Sequence, residues 1–109
     1  MRKLWQCINQ FRTLNPQFPA QTMQTFLYIA MKHPEEVPSA DLAKHLDVSQ
    51  SSVSRNLMAL GKVARKDNKV PGLALVETWE DVYDRRRKLA GLTLKGQTLY
   101  RNLKEALDG

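Results

Sequence analysis

A single cysteine, Cys7, excludes an internal disulfide and fits a reducing compartment, so a cytoplasmic location is expected. No apolar run approaches the roughly 20 residues that a membrane span needs. The N-terminal Met1-Arg2-Lys3-Leu4-Trp5-Gln6-Cys7 lacks the apolar stretch of a signal peptide. No internal repeat or low-complexity segment is visible. Two histidines, His33 and His45, and one cysteine stand at no metal-ligand spacing, so neither metal nor cofactor is expected. There is also no Ser-His-Asp or Cys-His constellation, no P-loop and no glycine-rich phosphate loop. Catalysis, which needs a convergent polar site, is therefore not expected.

Negative charge is the scarce sign. Eleven acidic residues stand against 17 basic ones, a net charge of +6 and a pI near 9.7. For so short a chain that surplus points to an acidic partner, nucleic acid first and an anionic membrane surface second. The 109 residues make one domain, 1–109.

Apolar periodicity predicts a mainly α protein with a small β-hairpin, in the order α-α-α-α-β-β-α. Leu4, Cys7 or Ile8, and Phe11 share one face of a helix over 1–14 that ends near Asn15-Pro16. Met23, Phe26, Leu27, Ala30 and Met31 line the next, which starts near Pro19 and stops at His33-Pro34. Glu35 to Pro38 reads as a connector. Ser39 is expected to cap a short helix from Ala40 to about Leu46, and Ser49 a second one running to about Gly61. Arg65 to Gly72 reads as a polar, basic loop. Leu73 to Trp79 and Leu89 to Leu92 are rich in β-formers around a charged tip, Glu80 to Lys88. Thr93 then caps a last helix over 94–108, with Leu99, Leu103 and Leu107 on one face.

The two short helices, about 39–61, are a helix-turn-helix candidate. Ala43 is small where the helices approach, and Val48 plugs the turn after Asp47. Val53, Leu57 and Leu60 form the inward stripe of the second helix. At 100° per residue, Ser51, Ser54, Arg55 and Met58 fall opposite it, with Gln50 and Ser52 at the N-terminal end. In this motif that end points into the major groove. Gln50 can pair with adenine, the serines with base edges or phosphates, and Arg55 with guanine or phosphate. An ordinary polar helix face, with the serines serving only as caps, is the competing reading.

Tyr83-Asp84-Arg85-Arg86-Arg87-Lys88 is the densest positive charge in the chain. A solvated charge run is the commoner fate of such stretches. Its place argues otherwise, because a hairpin tip two elements after a helix-turn-helix is where a DNA-binding wing sits. There an arginine can enter the minor groove. Asp84 reads as a wing support, a salt-bridge partner that holds a neighbouring arginine. Trp79, Val82 and Tyr83 form either a partner patch or the packing of the hairpin on the body.

Two stretches resemble the MarR family of winged helix-turn-helix regulators. The first runs from Leu42 to Leu57; the second is Asp84-Arg85-Arg86-Arg87-Lys88-Leu89-Ala90-Gly91-Leu92-Thr93-Leu94-Lys95-Gly96. The second is the more specific, since it looks like the family's Asp-x-Arg wing running into its Leu-Thr-x-x-Gly helix start. The resemblance implies a winged helix-turn-helix with the wing at about 73–92, Asp84 and Arg86 at the wing aspartate and minor-groove arginine positions, and Gln50 to Arg55 at recognition-helix positions. It also implies a homodimer on a palindromic operator, acting as a repressor. The chain departs from the family pattern in stopping at Gly109, before a further C-terminal helix, which leads to the expectation of a constitutive binder of phage or plasmid origin, without a small-molecule effector. Lys62 to Pro71 looks like an insertion whose Lys62, Arg65, Lys66 and Lys69 either add phosphate contacts, extend the recognition helix or form a solvated loop.

Leu4, Trp5, Ile8 and Phe11 at the N-terminus and Leu99, Leu103 and Leu107 at the C-terminus either pack on their own core or pair with each other and continue into a second copy; dimerisation through them is the expectation. Cys7 is expected as a buried, inert thiol. The expected function is sequence-specific binding of double-stranded DNA through Gln50, Ser51, Ser52, Ser54, Arg55, Lys62, Arg85, Arg86, Arg87 and Lys88. A replication-origin accessory protein and a winged-helix module that binds protein are the alternatives.

Overall fold

The computed structural model describes residues 1–65 and 70–108. Among the described residues five helices carry the structure: α1 (Arg2–Leu14), α2 (Ala20–Lys32), α3 (Ser39–Leu46), α4 (Gln50–Leu60) and α5 (Leu94–Asp108). Five short strands, counted over the same residues, join them: β1 (Val37–Pro38), β2 (Val63–Arg65), β3 (Val70–Pro71), β4 (Val76–Glu80) and β5 (Lys88–Leu92). The main sheet is antiparallel in the order β1-β5-β4, with Val37 opposite Ala90 and Thr78 opposite the same residue from the other side. This is a winged-helix fold, in agreement with the expected class. Among the described residues no helix is long and apolar enough to cross a membrane.

The helix stripes build one core. Phe26, Ile29, Leu42, Leu60 and Leu75 are fully buried, each contributing about 1.5–3 kcal/mol relative to exposure. Phe11 meets Phe18 edge-on at 5.1 Å and Phe26 at 5.9 Å. Phe18 had no helical period to announce it. An Asx turn brings it inward, with the Gln17 N–H donating to Asn15 Oδ1 at 3.0 Å. Met31, expected on the inner face of α2, is instead exposed. Its neighbour Ala30 takes the inner position. α1 lies along α5, where the buried Cys7 thiol donates to the Leu103 carbonyl at 3.8 Å.

Several sequence expectations need correction. The connector at 35–38 contains β1, because Val37 and Pro38 find a partner in β5. Ser39 is the first residue of α3; the cap position is Pro38, with no side-chain cap bond. Leu73 to Leu75 precede the strand, since β4 begins at Val76. Their N–H groups are taken by the end of α4: Leu73 donates to the Ala59 carbonyl at 3.0 Å, Ala74 to Gly61 at 2.9 Å and Leu75 to Leu60 at 2.8 Å. These bonds satisfy carbonyls that a helix end leaves orphaned. The region after α4 is a strand pair, Val63 opposite Pro71 and Arg65 opposite Val70, so it neither extends α4 nor forms a simple loop. Lys66 and Lys69 lie outside the described residues.

Other local signals agree with the structure. Asp47 adopts a left-handed conformation at the end of α3 (φ 54), and the Val48 N–H closes back on the Ala43 carbonyl at 3.1 Å. Thr93 caps α5: its hydroxyl accepts the Gly96 N–H at 3.0 Å and donates to the Ala74 carbonyl at 2.7 Å. Gly96 is required there because a Cβ would collide with the Leu75 carbonyl. The Leu-Thr-x-x-Gly pattern is thus a joint that docks the start of α5 onto the segment before β4.

Candidate nucleic-acid interface

The N-terminus of α4 is organised by three serines. Ser49 Oγ accepts the Ser52 N–H at 3.1 Å and stands 3.0 Å from both the Ser51 and Ser52 hydroxyls. Arg55 donates to Ser52 Oγ at 3.1 Å, one turn along the helix. Ser52 is therefore half-buried and committed to the cap, whereas Gln50, Ser51, Ser54 and Arg55 are exposed along one side. Gln50 Nε2 makes a long 3.5 Å contact to Ser39 Oγ, which links the starts of α3 and α4. Val53, Leu57 and Leu60 face inward, opposite these polar groups.

A buried polar bridge holds α4 against α2. Thr22 donates to Asn56 Oδ1 at 2.8 Å, and Asn56 Nδ2 donates to Gln21 Oε1 at 2.8 Å. Thr22 and Asn56 are both buried, so the bond between them forms out of reach of bulk water, whereas Gln21 closes the bridge from the exposed side of α2. The sequence reading missed this bridge. The only signal was a polar residue, Asn56, beside the apolar stripe.

The hairpin tip is preorganised by two aspartates. The Asp81 N–H donates to the Arg87 carbonyl at 2.8 Å, the Asp84 N–H to the Asp81 carbonyl at 3.3 Å and the Arg87 N–H to the Asp84 carbonyl at 2.9 Å. Asp84 Oδ1 accepts both the Arg86 N–H at 3.1 Å and its Nε at 3.2 Å. The bond uses only Nε. The Arg86 side chain is still 92% exposed, so its two terminal amino groups point into solvent ready for a bidentate contact. Arg87 pairs with Asp81 at 3.4 Å. The sequence reading also missed Asp81; an acid just before the basic run was its signal. Arg85 and Lys88 are exposed beside them.

Between α4 and the hairpin lies a cleft of 570 Å³ with Leu57, Met58 and Val76 on its lining and Ser54, Lys62 and Lys88 among its polar groups. It joins the two candidate contact elements into one surface. The residues expected at a dimer contact divide. Phe11, Leu99 and Leu103 are buried within the chain, whereas Leu4, Trp5, Ile8 and Leu107 are exposed. Trp79 packs against Gly91, while Val82 and Tyr83 stand free at the tip. His45 is exposed and stacks on Tyr28 at 5.1 Å.

No family model and no curated protein matches the sequence. Solved structures match the fold. The S. aureus MepR–DNA complex is 25% identical with a TM-score of 0.71, over 97% of this chain and 73% of that one. RV1404 from Mycobacterium tuberculosis is 20% identical with a TM-score of 0.69, over 95% and 63%. NadR, solved in complex with 4-hydroxyphenylacetate, is 24% identical with a TM-score of 0.65, over 94% and 65%.

Proposed function

We propose, from the premise that this chain carries the winged-helix fold of the MarR family, that it is a transcriptional regulator that binds double-stranded DNA, as a homodimer, and represses by occupying its operator. The observation that carries the reading is the Arg86 guanidinium, held through Nε by Asp84 on a rigid tip with its terminal amino groups free. An arginine so oriented loses little further freedom on entering a minor groove. MepR, which is solved on DNA, shares the fold over almost the whole of this chain.

In this mechanism the exposed side of α4 enters the major groove. Gln50, Ser51, Ser54 and Arg55 reach base edges, and Ser52 holds Arg55 in place through its 3.1 Å bond. Lys62, Lys88, Arg85 and Arg87 contact phosphates on either side of the α4–hairpin cleft. The exposed apolar flank of Leu4, Trp5 and Ile8, with Leu107, supplies the contact to a second copy. Two copies would place their α4 helices in successive major grooves, about one helical turn apart.

Selection of bound duplexes from a random pool, at physiological salt, tests the reading, because a basic protein binds any DNA at low salt. The expected product is an inverted repeat. Enrichment of a single half-site would remove the dimer, and no enrichment would remove sequence-specific recognition.

A further inference from the structure

Charge alone does not explain the end of the hairpin. Val82 is 86% exposed and Tyr83 95% exposed, side by side at its tip. The hairpin can bury an aromatic side chain, since Trp79 lies so close over Gly91 that a Cβ there would stand 3.0 Å from the ring. Val82 and Tyr83 have no such cover. They also cannot fold back easily. The tip is closed by backbone bonds between Asp81, Asp84 and Arg87, and the Tyr83 N–H is fixed to Asp81 Oδ1 at 2.9 Å. Two pairings, Asp84 with Arg86 and Asp81 with Arg87, offset the acids, and Arg85 and Lys88 remain as a positive collar.

A stiff apolar point inside a cationic collar matches a surface that is anionic at its rim and apolar on its walls. The minor groove of a duplex has that form: phosphates line its edges, and deoxyribose C–H groups line its sides. We propose that Val82 and Tyr83 enter the minor groove beside Arg86 and pack against its sugar walls, so that the wing reads groove width by shape as well as by charge. This rests on the DNA-binding reading above. The tyrosine has the required character, an apolar body with a hydroxyl that can reach a phosphate oxygen. A groove about 6 Å wide admits the ring edge-on beside the arginine. The narrowed groove of an A-tract attracts Arg86 more strongly but leaves less room for the ring, so the pair opposes the arginine's own preference for such tracts.

The test compares the wild-type protein with the double variant Val82→Ser, Tyr83→Ser on a labelled duplex of random sequence, about 30 bp long, over roughly 50 to 200 mM salt. Both positions are exposed, so the melting temperature is expected to stay unchanged. The variant is expected to bind about tenfold more weakly at every salt concentration, as for the partial burial of one aromatic side chain. The slope of log K against log salt is expected to stay the same, because no charge has been removed. Arg86→Ala, by contrast, lowers that slope by about 1. A double variant within about twofold of wild type, or one whose loss vanishes at low salt, overturns the proposal and leaves the pair to a protein partner. Failure of the wild-type protein to bind the duplex even at the lowest salt would instead overturn the DNA-binding reading itself.

Discussion

Replacing Asn56 with alanine should destabilise the protein far more than a single polar-to-alanine change on a helix usually does. Asn56 accepts from Thr22 and donates to Gln21, both at 2.8 Å. The lost Thr22 bond costs about 1 kcal/mol net and the solvent-accessible Gln21 bond about 0.5 kcal/mol, and the buried Thr22 hydroxyl, left without a partner, adds about 1–3 kcal/mol. Alanine returns roughly 0.5 kcal/mol through helix propensity. The expected loss is about 2–4 kcal/mol, a fall in melting temperature on the order of 10–25 °C for a domain of this size. Urea unfolding followed by circular dichroism is the assay, with Thr22→Val and the double variant completing the cycle. Because Thr22→Val removes the orphaned hydroxyl, the double variant should be more stable than the sum of the two losses predicts, by about 1–2 kcal/mol. Losses that add within about 0.5 kcal/mol would refute the bridge as a coupled unit. A changed urea slope would mean that the denatured state had moved as well.

The remaining predictions concern the interface and its joint. Arg86→Ala should weaken specific DNA binding by roughly 1–3 kcal/mol, and Asp84→Ala by less, because it frees the arginine without removing it; fluorescence anisotropy on a selected duplex measures both, and equal losses would make Asp84 a direct contact. Gln50→Ala should alter base preference in a repeated selection more than total affinity; an equal fall on all sequences would make Gln50 a positioning contact. Gly96→Ala should cost several kcal/mol, on the order of 3 or more, because the added Cβ meets backbone at the Leu75 carbonyl rather than a side chain that can turn away. A melting curve unchanged by Gly96→Ala would show that the α5 joint yields.

Much of the interface was legible because its signals are local. The hydroxyls of Ser49 and Thr93 each take the N–H three residues on in their own helix start, so residue type and place announce these two caps, although the same signal at Ser39 misplaced the start of α3 by one residue. The inward stripe of Val53, Leu57 and Leu60 follows from helix geometry alone. The pairing of Asp84 with Arg86, two residues apart, is also local. Less legible were features whose partners lie far along the chain. Asn56 and Thr22 are 34 positions apart, and nothing near either names the other.

Helix periodicity, the caps at Ser49 and Thr93, the basic tip and the excess of positive charge can be read along the chain, since each depends on neighbours within a turn or two. The tertiary structure decided which apolar groups a face would spend inside. Along α1, Cys7 and Phe11 meet α5 and the core, while Leu4, Trp5 and Ile8, as apolar as they, are left outside. It also turned Val37-Pro38 into a strand by bringing β5 alongside, and withheld Leu73 to Leu75 from β4 by giving their N–H groups to the end of α4. The physical reason is the same in each case. Burial and hydrogen bonding reward a segment only when a distant part of the chain arrives opposite it, and that arrival is a property of the folded whole.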